Sequence, residues 1–275
     1  MIDYQQYIGL TATKVSNEIE ENLEELDRKG YFFVESVFGD EELDLIRIKM
    51  DSIWKKQLDK YGSDFLAKIG DYGQIRAMMY DDPYFFNLII HPEILKYVAL
   101  TVGETAILHL QNGIVLHPTK KHNQARYHKD FPKDFIATKI LSFNSLIVID
   151  EFDEITGGTW IIPGSHKFTE MPSNKYIEKN QVQIRAKSGS IFFFDSNLWH
   201  KGGDNLSKKT RRAINQQYTR PFIKQQMDYP ALLKGKVDIE SKLAQTLGCW
   251  SVPSKSVDEF RAPDPSLRTY RAGQG

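Results

Sequence analysis

The spacing of apolar side chains changes part-way along this chain. In the first third they recur at helical intervals, and after about residue 105 they come in short β-prone runs. Residues 15–28 are acidic, with Ile19, Leu23 and Leu26 at helical spacing and Gly30 following as a stop. Residues 31–37 form a short β-prone run. Asp40 is the expected N-cap of a helix carrying Leu43, Leu45, Ile46 and Ile48. Residues 92–102 predict another helix, with Pro92 at its start and Gly103 past its end. The runs 106–110, 140–149, 159–162, 181–186, 190–194 and 212–218 predict strands, broken by Gly, Pro, Asn and Asp. One more helix is predicted over 237–247, before a Pro- and charge-rich end. Helices first and many short strands afterwards predict helices packed on a β-barrel or sandwich.

With 275 residues the chain is long enough for one elaborated domain. The expected division is a helical part over about 1–103, a β core over about 104–222 and a C-terminal extension over 223–275. Formal net charge is zero, so no long-range field favours nucleic acid or an acidic membrane. Basic clusters at 120–129 and 208–212 lack the aromatic interleaving of a nucleic-acid surface. No stretch approaches the roughly 20 apolar residues of a spanning helix. The first residues lack the basic start and apolar run of a signal peptide. With Cys249 alone, no intramolecular disulfide can form. A cytoplasmic protein without membrane or nucleic-acid partners is therefore expected, and its oligomeric state stays open.

The candidate chemistry lies in Tyr127-His128-Lys129-Asp130-Phe131 and Trp199-His200, followed by Arg211. Residues i and i+2 of a strand share a face, so His128 and Asp130 can reach one metal while Lys129 points away. The third ligand must come from another strand, and His200 stands 70 residues after Asp130. Two imidazoles and a carboxylate form the facial triad of ferrous oxygenases, which leaves one side of the metal open. Arg211, eleven residues after His200, can hold an acidic co-substrate through a bidentate contact. Each piece alone has a plainer reading. A lone His-x-Asp is usually a surface pair, His200 could be a core histidine beside Trp199, and Arg211 belongs to a charged run. Their combination and order are far more specific.

At these residues the sequence resembles the phytanoyl-CoA dioxygenase-like family of 2-oxoglutarate/Fe(II) oxygenases. The resemblance runs from about residue 27 to residue 218. It takes in Lys29-Gly30-Tyr31-Phe32-Phe33-Val34, then Gly39-Asp40-Glu41-Glu42-Leu43 and the 127–131 segment. It also covers Gly157-Gly158-Thr159-Trp160-Ile161-Ile162-Pro163-Gly164-Ser165-His166-Lys167 and Gly189-Ser190-Ile191-Phe192-Phe193-Phe194-Asp195 leading to His200. It ends in Arg211-Arg212-Ala213-Ile214-Asn215. The resemblance implies a mainly β fold with flanking helices, built on a double-stranded β-helix (jelly-roll, cupin-like) core. It implies Fe(II), with 2-oxoglutarate and O2 as co-substrates, succinate and CO2 as co-products, and oxidation of a small-molecule substrate. His128, Asp130 and His200 become the iron ligands, and Arg211 or its neighbour Arg212 the partner of the distal 2-oxoglutarate carboxylate. Strand alternation allows only one of these two arginines to face the pocket, and counting from His200 favours Arg211. One branch of the family replaces the ligand Asp and uses the vacancy for halide. Asp130 is present, so hydroxylation or another oxidation is expected instead of halogenation.

Other residues are weighed against plainer roles. Gln111, Asn144 and Thr159 fall on strands around the expected pocket and either contact 2-oxoglutarate or substrate, or satisfy backbone groups. Phe131 and Trp199 either wall the pocket or belong to an aromatic core. His166 reads as structural, His91 as leading into a helix, and His109 as core. His122 lies in a polar loop that is either a lid or simply solvated. Substrate determinants are expected in 60–83, 117–127 and the C-terminal segment. Two alternatives remain beside the oxygenase: a binding module without turnover, which intact ligands argue against, and a zinc enzyme using the same three side chains.

Overall fold

The computed structural model describes residues 13–118, 124–264, 270–271 and 273–274; His122 lies outside them. The N-terminal part contains α1 (Glu18–Lys29), β1 (Tyr31–Val34), α2 (Asp40–Tyr61), α3 (Ser63–Lys68), β2 (Gln74–Arg76), α4 (Met78–Asp81), α5 (Phe85–Ile89) and α6 (Pro92–Thr101). The β-rich part contains β3 (Ile107–Leu116), β4 (Ser142–Val148), β5 (Trp160–Ile161), α7 (Asn174–Asn180), β6 (Val182–Gln183), β7 (Ile191–Asp195), β8 (His200–Lys201) and β9 (Arg211–Thr219). Then come α8 (Tyr229–Leu232), α9 (Lys242–Thr246) and α10 (Val257–Phe260).

Local chemistry sets these boundaries. The Asn17 side chain accepts the Glu20 N–H at 3.0 Å and starts α1. Gly30 ends it with φ +88°, donating its N–H to Leu26 at 2.9 Å. A side chain at Gly30 would also strike the His166 ring, whose Nε2 lies 3.1 Å from the Asp27 carbonyl. His166 thus fastens the end of α1 to the turn after β5. Asp40 is not the cap of α2. Gly39 holds that position without a side-chain bond, and Asp40, Glu41 and Glu42 fill the first turn, where they complement the helix dipole. The helix predicted over 237–247 is shorter, because Ser241 caps it by accepting the Ala244 N–H at 3.1 Å.

Six strands form one antiparallel sheet in the order β1-β7-β4-β9-β3-β2. Both of its faces are covered, which explains why β4 and β7 are buried along their whole length. Phe143, Ile147, Ile191, Phe193, Ile214 and Tyr218 point to the helices, and join Ile46, Met50, Phe85 and Tyr97 in the larger core. Leu146, Val148, Phe192, Phe194 and Ala213 point the other way, into a smaller core with Phe152, Ile161 and Ile184. Each such side chain contributes about 1.5–3 kcal/mol by burial. Tyr229, Leu233 and Leu247 of the C-terminal segment join the helix-side core.

The smaller core is closed by a second sheet, β6-β5-β8. An isolated bridge between His128 and His200 adds another extended segment at the free edge of β8. Two facing antiparallel sheets with helices outside the larger one make a jelly-roll core of the double-stranded β-helix type. Among the described residues, no helix is long and apolar enough to cross a membrane.

Candidate metal centre and co-substrate pocket

The bridge at the edge of the small sheet assembles the three expected ligands. His128 and His200 exchange backbone hydrogen bonds of 2.9 and 3.0 Å, which sets their rings on the same side with centroids 4.3 Å apart. Two residues on, the Asp130 N–H donates to Ser196 at 2.9 Å and brings that carboxylate to the same side. Its Oδ1 lies 3.6 Å from His128 Nε2 and 3.8 Å from His200 Nε2. One ligand atom from each of the three residues falls within 4.8 Å of the others.

The orientation of both rings is fixed from behind. His128 Nδ1 lies 2.9 Å from the Arg126 carbonyl, and His200 Nδ1 lies 2.8 Å from the Leu198 carbonyl. A carbonyl only accepts, so each Nδ1 carries the proton and each Nε2 offers its lone pair to the centre. Burial pushes His200 well below the usual imidazole range, against the pull of Asp130, and keeps it in this neutral form. Neutral imidazoles and one carboxylate suit ferrous iron.

Asp130 is held on its other oxygen. Asn144 Nδ2 donates to Oδ2 at 2.8 Å and to Asn215 Oδ1 at 3.1 Å. Asn144 Oδ1 accepts from Ser196, whose hydroxyl is 2.7 Å from that of Ser142. Gln217 in turn donates to Ser142 at 2.7 Å. Asn144 therefore stands behind the carboxylate, and its amide nitrogen is already committed. Asn144→Ala should weaken iron binding by about 10–100-fold while the protein stays folded. Titration of the metal-free variant with Fe(II) under anaerobic conditions measures this, and an unchanged affinity would remove Asn144 from the support of Asp130.

Arg211 and Arg212 part company at the first two residues of β9. Arg212 faces the helices, bidentate to Asp51 at 2.8 Å on each arm and paired with Asp150 at 2.9 Å. Arg211 faces the smaller core, 4 % exposed, its guanidinium 4.3 Å from the Phe152 ring centroid. It donates to the Gly157 carbonyl at 2.9 Å, but its Nε has no partner. No carboxylate lies within ion-pair distance of it among the described residues. Burial lowers its pKa to about 10, only partly offset by Asp150, so it is a cation at neutral pH. A buried cation without a counter-charge is costly, and an acidic ligand would supply what is missing. Asn215 and Gln217 follow Arg211 on the same face and line the cleft at the ligands. The residues present thus fit both iron and a dicarboxylate.

The expectation for Gln111 is corrected, and the alternatives left open for Trp199 and Phe131 are decided. Gln111 turns to the helices, where its amide donates to the Phe85 carbonyl at 3.0 Å and to Gln216 at 2.9 Å. It cannot reach a ligand at the metal, because neighbours on a strand face opposite sides and Asn112 takes the cleft side. Trp199 does not wall the site. Its neighbour His200 faces the centre, and Trp199 lies on the opposite side beneath Lys129 Nζ, 5.5 Å from its ring centroid. The aromatic ring at the ligands is Phe194, 5.1 Å from the His200 ring centroid, and Phe131 is absent from the cleft wall. Thr159 is buried two residues after Gly157, whose carbonyl holds Arg211. The sequence reading also missed His109. The register of β3 against β9 shifts between Leu108 and Leu110. Such a bulge re-aims a side chain, and His109 lies in the cleft wall with an unpartnered Nδ1.

Comparison with known proteins agrees with this geometry. The family model for phytanoyl-CoA dioxygenase (PhyH) matches residues 26–213. The protein Rv1501 of Mycobacterium tuberculosis (strain ATCC 25618 / H37Rv) is 40% identical over 275 residues, spanning 97% of this chain and 100% of that one. Phytanoyl-CoA dioxygenase of Arabidopsis thaliana is 24% identical, over 75% of this chain and 71% of its own. Among solved structures, EctD from S. alaskensis with 2-oxoglutarate and 5-hydroxyectoine superposes with a TM-score of 0.62 at 17% identity, covering 72% of this chain and 75% of that one. Fold, three-ligand cluster and family match define a non-haem iron, 2-oxoglutarate-dependent dioxygenase. The chain belongs to the phytanoyl-CoA dioxygenase (PhyH) family.

Proposed function

We propose that His128, Asp130 and His200 hold Fe(II), that Arg211 binds the distal carboxylate of 2-oxoglutarate, and that the enzyme hydroxylates, or otherwise oxidises, a small metabolite. Residues 1–275 act in this reading as one catalytic unit. The observation that carries it is the buried Arg211, without an ion-pair partner among the described residues, on the face of β9 that leads to the cleft lined by His128 and Asp130. When bound, the iron supplies the redox chemistry by which dioxygen oxidises 2-oxoglutarate and substrate together. For hydroxylation the balance is 2-oxoglutarate plus O2 plus substrate C–H, giving succinate, CO2 and substrate C–OH.

The protein's own groups bind and orient. The Nδ1–H groups of His128 and His200 stay on their carbonyls and keep both Nε2 atoms turned inward. Asn144 keeps one oxygen of Asp130 from turning away. Arg211, held by the Gly157 carbonyl, would form the closed end of the co-substrate pocket, with the nearby buried Thr159 proposed as a second contact. Phe152 and Phe194 exclude water there. The relatives include the ectoine dioxygenase of Bordetella bronchiseptica, which supports oxidation of a compact metabolite.

With Fe(II), O2 and 2-oxoglutarate the protein should release succinate and CO2, slowly alone and faster with its substrate. Labelled oxygen gas should place one atom in succinate and, on hydroxylation, one in the product. Asp130 fills the position that a halogenase leaves to chloride, so no C–Cl bond should form. Oxygen consumption indifferent to 2-oxoglutarate would overturn the reading.

A further inference from the structure

The cleft lined by His128 and Asp130 points to the chemical class of the substrate, an inference that rests on the oxygenase reading above. Its volume is ≈ 420 Å³, suited to a small metabolite. Its wall is built of hydrogen-bonding side chains. Asn112 on β3 and Asn215 and Gln217 on β9 face it, and Leu110 and Ile114 are the apolar exceptions. This polarity is local. A cleft of similar size by the C-terminal segment is walled by Pro221, Phe222, Val252 and Pro253.

Charge is distributed just as unevenly. The single carboxylate on the wall is Asp130, with Oδ1 turned to the two imidazoles at the candidate metal position and Oδ2 bound by Asn144. Four cations belong to the same wall: Arg76, Arg126, Lys129 and Lys133. Arg76 is neutralised by Asp71, and Lys129 is turned to the Phe168 carbonyl. Arg126 and Lys133 have no ion-pair partner among the described residues. They flank the ligand segment, two residues before His128 and three after Asp130. The Arg126 carbonyl is bound to His128 Nδ1, which fixes the backbone from which its side chain reaches the cleft wall. His109 adds a buried nitrogen without a partner.

An acyl or isoprenoid chain in this cleft would strip water from Arg126, Lys133 and the carboxamide atoms not already bonded within the protein, and replace none of those hydrogen bonds. A hydroxylated anion would replace them. We propose that the substrate is a small polyhydroxylated or similarly hydrogen-bonding anion bearing a carboxylate or phosphate. Arg126 and Lys133 take its acidic group, and Asn112, Asn215, Gln217 and His109 read its polar groups.

The test is calorimetric titration of the full chain, with Mn(II) in place of iron and saturating 2-oxoglutarate so that Arg211 is filled. The probes are glucose 6-phosphate, gluconate, glucose and decanoate. At least one of the two sugar acids should bind about tenfold or more tighter than glucose, and decanoate should not bind. Preference for glucose 6-phosphate assigns a phosphate, and preference for gluconate a carboxylate. The Arg126→Ala/Lys133→Ala double variant, which removes two exposed and unpaired side chains, should lose that advantage by a similar factor. Equal binding of glucose, tighter binding of decanoate, no binding of any probe, or an unaffected double variant would each overturn the proposal. Titration of 2-oxoglutarate itself is read separately. Its failure counts against the oxygenase reading, whereas its success with failing probe arms counts against the substrate class alone.

Discussion

His128→Ala and His200→Ala should each abolish iron-dependent succinate formation and leave a folded protein that does not retain iron. The loss is expected to be complete, because two remaining ligands rarely hold a divalent ion against buffer and the open face of the triad depends on all three. Folding should survive, because the bridge between the two residues is made of backbone groups that alanine keeps. The side-chain bonds given up are those to Arg126 and Leu198, each worth about 0.5–1.5 kcal/mol. Far-ultraviolet circular dichroism, metal content and succinate release, measured on the same preparation, separate the two effects. A variant with stoichiometric iron and full turnover would reject the ligand assignment.

The cluster of His128, Asp130 and His200 was legible in the sequence because its members obey the simplest rule of extended chain. His128 and Asp130 are two apart and share a face; His200 needed only to arrive from a neighbouring segment. The layered core was legible for the same reason, in continuous apolar runs such as 191–194 that only a sheet covered on both sides can bury. What failed was parity. The irregularity at His109 shifts the register of β3, and strand counting without a partner cannot show which of Gln111 and Asn112 turns inward. Trp199 was linked to the site by adjacency, yet adjacency on a strand means opposite faces. Phe194 reaches His200 from another strand, a contact visible only once β7 and β8 are placed. Asn144 was placed correctly on β4, but its contact with Asp130 spans 14 residues of chain and depends on the turn between them. The short helices over 78–89 carry too few residues for periodicity to register; tertiary packing of Phe85, Leu88 and Ile89 forms them.

Arg211 and Arg212 should give opposite signatures on substitution. Arg211→Ala is expected to raise the 2-oxoglutarate requirement by on the order of 10²–10³-fold, because depriving a buried carboxylate of its partner costs about 3–5 kcal/mol. The ligand-free protein should lose little stability. Arg211 has no carboxylate partner to give up, only a bond to Gly157 and its contact with Phe152, and Arg211→Met keeps much of that packing. Arg212 is the reverse case. It ties β9 to α2 through Asp51 and to Asp150, which also accepts from Arg47 at 2.8 Å. Arg212→Ala should therefore lower stability by about 1–3 kcal/mol and leave the 2-oxoglutarate requirement nearly unchanged. Thermal unfolding of the apo proteins and the 2-oxoglutarate dependence of succinate formation measure the two properties independently. If Arg212→Ala raises the co-substrate requirement and Arg211→Ala does not, the pocket lies on the other face of β9. The unpaired charge of Arg211 would then need a different ligand.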